Sequence, residues 1–151
     1  MNAEAVGRSV EEQIATIPLF AGLRPAALRM IAEIVVEETH LPGTVIFKQG
    51  DVGEKLYFVV AGRVRMTRDA PGKSDEEIAS IGPGETFGEM ALFDGESRPT
   101  DARAAEDCVL LAIHRDAFED LLFVHKELAY EVLWNVIGIL GRRVRELSAG
   151  R

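Results

Sequence analysis

Phe87-Gly88-Glu89-Met90-Ala91-Leu92, followed after a short spacer by Arg98-Pro99-Thr100-Asp101-Ala102-Arg103-Ala104, is the stretch that decides how this chain is read. It sets a glycine turn, a carboxylate and a few exposed backbone amides just ahead of a lone arginine. Those groups suit a sugar phosphate. Glu89 can accept from a ribose hydroxyl, and free N–H groups at the start of a short helix favour an anion. Arg98 offers a planar fork of donors that matches phosphate oxygens.

On either side of this stretch the pattern is helix, strands, helix. Ser9-x-x-Glu12 has the form of a capping box and predicts a helix through Ile14 and Ile17, interrupted at Pro18. A second helix is predicted from Pro25 to Val36, with Leu28, Ile31, Ala32 and Val35 on one face. Thr44 to Phe47 reads as a strand between the turn signals Leu41-Pro42-Gly43 and Gln49-Gly50-Asp51. Lys55 to Thr67 is the strongest β stretch, broken at Gly62. Arg68 to Asp75 is expected to be a polar loop, Glu77 to Ile81 a strand stopped by Gly82-Pro83-Gly84, and Cys108 to Ile113 a last apolar strand. Short strands at regular spacing with glycine turns predict a β-roll or barrel.

Composition agrees with one folded domain. The chain has 151 residues, 47% of them hydrophobic and 28% charged, enough to bury roughly two-thirds of its unfolded surface. No apolar run approaches the ~20 residues of a membrane span, and the N-terminus lacks the plan of a signal peptide. Cys108 is the only cysteine, which excludes an internal disulfide framework and fits a cytoplasmic location. A formal net charge of −8 argues against DNA as a partner. His40, His114 and His125 are scattered without metal-ligand spacing. No nucleophile sits in a recognisable elbow. His114-Arg115-Asp116 spells a kinase tripeptide but lacks the companion motifs. The expectation is a protein that is not an enzyme and holds no metal.

The chain resembles the cyclic nucleotide-binding domains of the catabolite activator protein and protein kinase A regulatory subunit type. Their cassette reads roughly Phe-Gly-Glu-x-Ala-Leu, a spacer, then Arg-Ala/Ser/Thr-Ala. The resemblance extends to Ile17–Leu23 (IPLFAGL), to the turn and strand between Gly43 and Gly50, and to Leu56–Gly62 (LYFVVAG), all in the family's order. It implies a mainly β fold, a jelly-roll type β-roll (double-stranded β-helix) with N-terminal helices and a long C-terminal helix. It divides the chain into N-terminal helices at 1–36, a β-roll at 37–115 with the cassette at 87–104, and C-terminal helices at 116–151. It implies a ligand, cAMP or alternatively cGMP, held by Phe87, Gly88, Glu89, Met90, Ala91, Arg98, Pro99 and Thr100.

Two positions depart from the family pattern. Pro99 stands where the family has alanine, serine or threonine, whose backbone N–H helps to hold the phosphate. Proline has none, and one hydrogen bond to a charged group contributes about 1.5–3 kcal/mol. A hydroxyl at this position accompanies cGMP preference in the family, so Pro99 favours cAMP, with Thr100 as a partial substitute. Asp101 stands where a neutral residue is usual. In a regular strand Arg98, Thr100 and Ala102 share one face and Asp101 lies on the other, paired with solvent or Arg103. The open alternative is a degenerate fold that serves as a ligand-free interaction and dimerisation module. For single residues the alternatives are a Glu89 that caps the short helix and an Arg98 paired with Asp94 or Glu96 at the surface.

After Asp116 the sequence predicts a helix to Val124 and a longer one from Lys126 to Leu147. Leu133, Ile137, Leu140, Val144 and Leu147 recur at steps of four, three, four and three, the alternation of a coiled-coil seam. Leu128, Val132, Trp134, Val136 and Ile139 widen the apolar surface, so one face is expected on the β-roll and the seam against a second copy. The chain ends at Arg151 with no recognition helix after the seam. The expectation is therefore a stand-alone sensor domain without a helix-turn-helix, a homodimer that signals to a separate protein effector.

Overall fold

The structure, a computed structural model, describes residues 8–150, and at residues 70 and 73–75 the backbone alone. Two four-stranded antiparallel sheets face each other, and helices cover the outer side of one. In chain order the elements are α1 (Val10–Ile14), a 3₁₀ turn (Pro18–Phe20), α2 (Pro25–Ile34), β1 (Val35–His40), β2 (Val45–Phe47), β3 (Lys55–Ala61), β4 (Val64–Ala70) and β5 (Lys73–Ile81). There follow β6 (Thr86–Phe87), a second 3₁₀ turn (Glu89–Leu92), β7 (Asp101–Ala104), β8 (Cys108–His114), α3 (Arg115–Val124) and α4 (Lys126–Ala149). The sheet orders are β1-β8-β3-β6 and β2-β7-β4-β5.

The near-continuous apolar run of β3 follows from its place between two cores. Leu56, Phe58 and Val60 point to the helices with Leu111 and Ile113 of β8, where they meet Phe20, Ile31, Phe118, Leu128 and Val132. Tyr57 and Val59 point the other way with Leu110 and Ala112, into the space between the sheets shared with Phe47, Phe87 and Ala102. Period-2 alternation thus feeds both cores from the same two strands. On the second core Tyr57 and Phe87 stack with ring centroids 4.9 Å apart.

Three local expectations are corrected. α1 is capped as predicted, with Ser9 Oγ accepting from the Glu12 N–H at 3.1 Å, but it stops at Ile14. Ile17 is extended, φ −70° and ψ 126°, and leads into the Pro18 turn. The second helix ends at Ile34 instead of Val36, because the β-branched Val35-Val36 pair begins β1. β1 then pairs with β8 from Val35↔Ile113 to His40↔Cys108. The segment 68–75 is not a loop but the tip of the β4–β5 hairpin, with Arg68 opposite Glu76 and a turn at Gly72. The tip carries no alternating apolar face in its sequence, and the strand shows itself in its backbone pairing.

α4 is held to the body along its first half. Leu128 and Val132 are buried, and Val136 and Ile139 pack against the helix-side core. The Asn135 side-chain amide donates to both Leu19 O and Ala21 O at 2.9 Å, tying the helix to the turn after α1. The predicted seam residues Leu133, Ile137, Leu140, Val144 and Leu147 are all exposed. Among the described residues no helix is long and apolar enough to cross a membrane.

Candidate ligand-binding site

Gly88 opens the site in the left-handed region, at φ 76°, and caps the 3₁₀ turn that starts at Glu89. The first N–H groups of such a turn have no acceptor within it. The segment behind it is fixed by backbone pairing with the 50–53 loop. Arg98 N donates to Asp51 O at 2.6 Å, Gly50 N to Arg98 O at 2.9 Å, and Gly53 N to Glu96 O at 3.1 Å. The pieces come very close. A Cβ on Gly88 would lie 2.5 Å from Arg98 Nη1, and one on Gly53 would lie 2.8 Å from the Ala91 Cβ. Glycine is therefore required at both positions, at Gly88 also by its φ.

Between these segments lies a cavity of about 330 Å³, lined by Phe47, Met66, Gly88–Ala91, Asp94 and residues 96–100. Such a volume falls within the range of small-ligand pockets. Seven of the eight predicted ligand residues line it: Gly88, Glu89, Met90, Ala91, Arg98, Pro99 and Thr100. Phe87 does not; it is buried in the core beneath, against Phe47 and Tyr57. Phe47 and Met66 are cavity residues that sequence reasoning missed, since both read there as ordinary strand residues.

Arg98 is only 7% exposed. Its Nη2 donates to Lys55 O at 2.7 Å, and its guanidinium lies 4.2 Å from the centroid of the Phe47 ring. Among the described residues no carboxylate forms an ion pair with it, so the surface pairing with Asp94 or Glu96 weighed from the sequence is not formed. Burial pulls the guanidinium below its ordinary pKa, while the fields of Tyr57, Asp51, Asp94 and Glu54 act in the opposite direction. Arg98 thus shares the cavity wall with the carboxylates of Glu89, Asp94 and Glu96 but is ion-paired to none of them among the described residues.

Lys55 is engaged elsewhere. Its ammonium donates to Glu38 at 2.8 Å, and the His40 ring contacts the same carboxyl group at 2.9 Å. Burial pushes the Glu38 carboxyl up, but the bonds and charges of Lys55 and His40 outweigh it and hold the pKa below the ordinary value.

Glu89 makes no capping bond to its own turn. Its Oε1 instead accepts from Arg143 Nη2 of α4 at 2.5 Å. The Thr100 hydroxyl is buried and has no hydrogen-bond partner among the described residues. Asp101 does not line the cavity, as the alternation predicted, and it is partly exposed, but its protein partner is the Gln49 amide and not Arg103. Its Oδ1 accepts from the Gln49 N–H at 2.6 Å, whereas Arg103 donates to Gly43 O. Cys108 is a buried core thiol donating to Arg63 O, and burial raises its pKa. No group of three or more His, Cys, Asp or Glu residues placed to hold a metal occurs among the described residues.

Comparison with known proteins places these features in a family. The model of the cyclic nucleotide-binding domain matches residues 37–125, more than half of the chain. The chain is 40% identical over 129 residues to the cyclic AMP receptor protein of Thermus thermophilus, covering 85% of this chain and 58% of that protein. Its fold superposes on the N-terminal domain of a transcriptional regulator from Streptomyces coelicolor with a TM-score of 0.81 at 30% identity, covering 91% of this chain and 94% of the other. It also superposes on the regulatory domain of Toxoplasma gondii PKA in complex with cAMP, with a TM-score of 0.70 at 26% identity, covering 80% of this chain and 46% of that one.

Proposed function

Because the chain belongs to the cyclic nucleotide-binding domain family, we propose that it is a sensor module for a purine cyclic nucleotide, cAMP in preference to cGMP. The observation that carries this reading is Arg98, buried on the cavity wall with no ion pair to a carboxylate among the described residues. In the proposed complex Arg98 takes the cyclic phosphate. Glu89 accepts from the ribose hydroxyl left free by the 3′,5′ ring, and the Glu89 and Met90 amides that begin the turn support the phosphate. Phe47 and Met66 line the cavity beside them, and Phe87 supports the cassette from the core. The matched relatives include a receptor protein and a regulatory domain, which supports a sensor. The Thermus relative is named for cyclic AMP and the PKA structure holds cAMP, which favours this base.

Thr100 is the proposed compensation for Pro99. An orphaned buried hydroxyl is costly, and a ligand acceptor in reach would satisfy it. Thr100→Val keeps the shape and removes the hydroxyl. In the wild type, cAMP at a hundred times its Kd adds about 2.7 kcal/mol to stability, read as a rise in Tm. The variant is expected to bind about ten-fold more weakly while melting at the same or a higher temperature without ligand. Equal affinities for the two proteins would remove Thr100 from the site, and a wild-type melt insensitive to millimolar cAMP would contradict the function.

The proposed output is α4. The three segments 1–36, 37–115 and 116–151 then act as support, receptor and transmitter, with the seam joining two copies and an effector protein receiving the signal in the cytoplasm. The exposed row from Leu133 to Leu147 supports the homodimer. Sedimentation at micromolar concentration is expected to give twice the chain mass, and Ile137→Asp to return it to one; a monomeric wild type contradicts the seam. The chain spans 58% of the length of the Thermus relative, so whatever that protein does beyond this domain is not carried over. The second reading, a ligand-free interaction module, draws on Pro99, which withdraws one phosphate donor.

A further inference from the structure

Among the described residues, the cavity that holds Arg98 is lined by one cation and three carboxylates, Glu89, Asp94 and Glu96. The three carboxylates differ in what they face. Glu89 is paired with Arg143. Asp94 and Glu96 carry no ion pair among the described residues. Both are exposed, so they stand where the cavity opens to solvent. Asp94 Oδ1 accepts from the Glu96 N–H at 3.0 Å, which sets the two on one short loop. The Arg115 guanidinium lies close to Gly95 of that loop but is paired with Glu119 at 3.0 Å. The donors form the buried part of the wall. Arg98 is 7% exposed, and the buried Thr100 hydroxyl has no partner among the described residues.

We infer that Asp94 and Glu96 form a charge filter at the opening of the site: a singly charged phosphodiester is accepted on Arg98, and a doubly charged phosphomonoester is turned away. This rests on the ligand proposed above and adds the residues that set which class of phosphate it carries. A cyclic diester presents two terminal oxygens and one negative charge. A monoester presents three terminal oxygens and, near neutral pH, a charge of about −1.5 to −2. One guanidinium matches the first charge. The remaining charge and the third oxygen meet no second cation among the described residues, only the carboxylates at the opening. Pro99, which also lines the cavity, has no N–H to offer. The field of Asp94 reaches the Arg98 guanidinium, and so reaches a phosphate held there. Like charges so placed repel, and solvent at the opening screens the repulsion to a modest size.

The test uses the full chain with cAMP, 5′-AMP and the methyl ester of 5′-AMP as probes. The ester is acyclic like 5′-AMP but singly charged like cAMP, so it separates charge from ring shape. Wild type is expected to bind the ester about three-fold more tightly than 5′-AMP at low salt, the gap closing near ~1 M salt. The double variant Asp94→Asn/Glu96→Gln removes both charges and keeps an Oδ1 acceptor for the residue 96 N–H. It is expected to gain about three-fold for cAMP and the ester and about ten-fold for 5′-AMP, because the second ligand charge meets the same field again. Glu33→Gln/Glu37→Gln removes two exposed carboxylates that do not line the cavity, and is expected to leave all three affinities at wild-type values. An equal gain for the ester and 5′-AMP in the first double variant, or no gain, overturns the filter and leaves ring shape as the selector. A wild type that binds 5′-AMP as tightly as the ester overturns it too. In both cases the cAMP site stands. A wild type silent to cAMP overturns the nucleotide reading and the filter with it.

Discussion

Arg98→Ala is expected to lower cAMP affinity by about a hundred-fold or more, with the fold retained. A guanidinium–phosphate contact of two charge-assisted hydrogen bonds in a partly dehydrated cavity is among the strongest polar contacts a small site can make. Among the described residues no other cation lines this cavity. The stability effect separates this residue from a structural arginine. Arg98 is buried, donates to Lys55 O and lies over Phe47, but carries no ion pair among the described residues. Its burial therefore acts against the charged form, and an apolar side chain of similar volume removes that penalty. Arg98→Met is expected to lose binding as Arg98→Ala does, while its Tm without ligand equals or exceeds that of wild type. A large fall in Tm for Arg98→Met, measured by thermal denaturation, would make Arg98 a structural residue.

Phe118→Ala is expected to cost about 3–5 kcal/mol of stability. Phe118 is fully buried. Its ring lies 6.0 Å from that of Phe20 after α1 and 6.3 Å, edge-on, from that of Phe93 after the Glu89–Leu92 turn. One side chain of α3 thus joins the N-terminal helices to the cassette, and truncation leaves a cavity against both. For a chain of this size the midpoint of thermal unfolding should fall by roughly 10 °C. A fall of only one or two degrees would show that the interface between the helices and the cassette closes around the gap.

The cassette was legible because its chemistry is local. Gly88, Glu89 and Arg98 lie within a dozen positions, and turn, carboxylate and fork can be read from residue types alone. β3 and β8 were legible as apolar runs, and α3 and α4 as periodic ones. β1 was not, because Val35 continues the apolar face of α2, and only its pairing with β8 reveals the change of geometry. The hairpin tip at 68–75 was hidden for the opposite reason. Its residues are polar, so the ladder between Arg68 and Glu76 leaves no mark on hydropathy. Long-range contacts were likewise out of reach. Asn135 reaching Leu19, Arg143 reaching Glu89 and Asp101 reaching the Gln49 amide span dozens of positions. Alternation did place Asp101 on the outer face, but it did not reveal the Gln49 amide, which comes close only when the 48–51 turn folds beside β7.

The central claim is that this cavity receives a cyclic nucleotide on Arg98 and Glu89. Calorimetric titration of cAMP, and separately of cGMP, into the purified chain tests it most directly. The account predicts saturable binding of cAMP at one site per chain, with cGMP weaker. No heat from either nucleotide at several hundred micromolar would contradict it, and would leave the exposed row of α4 as the working surface of the molecule.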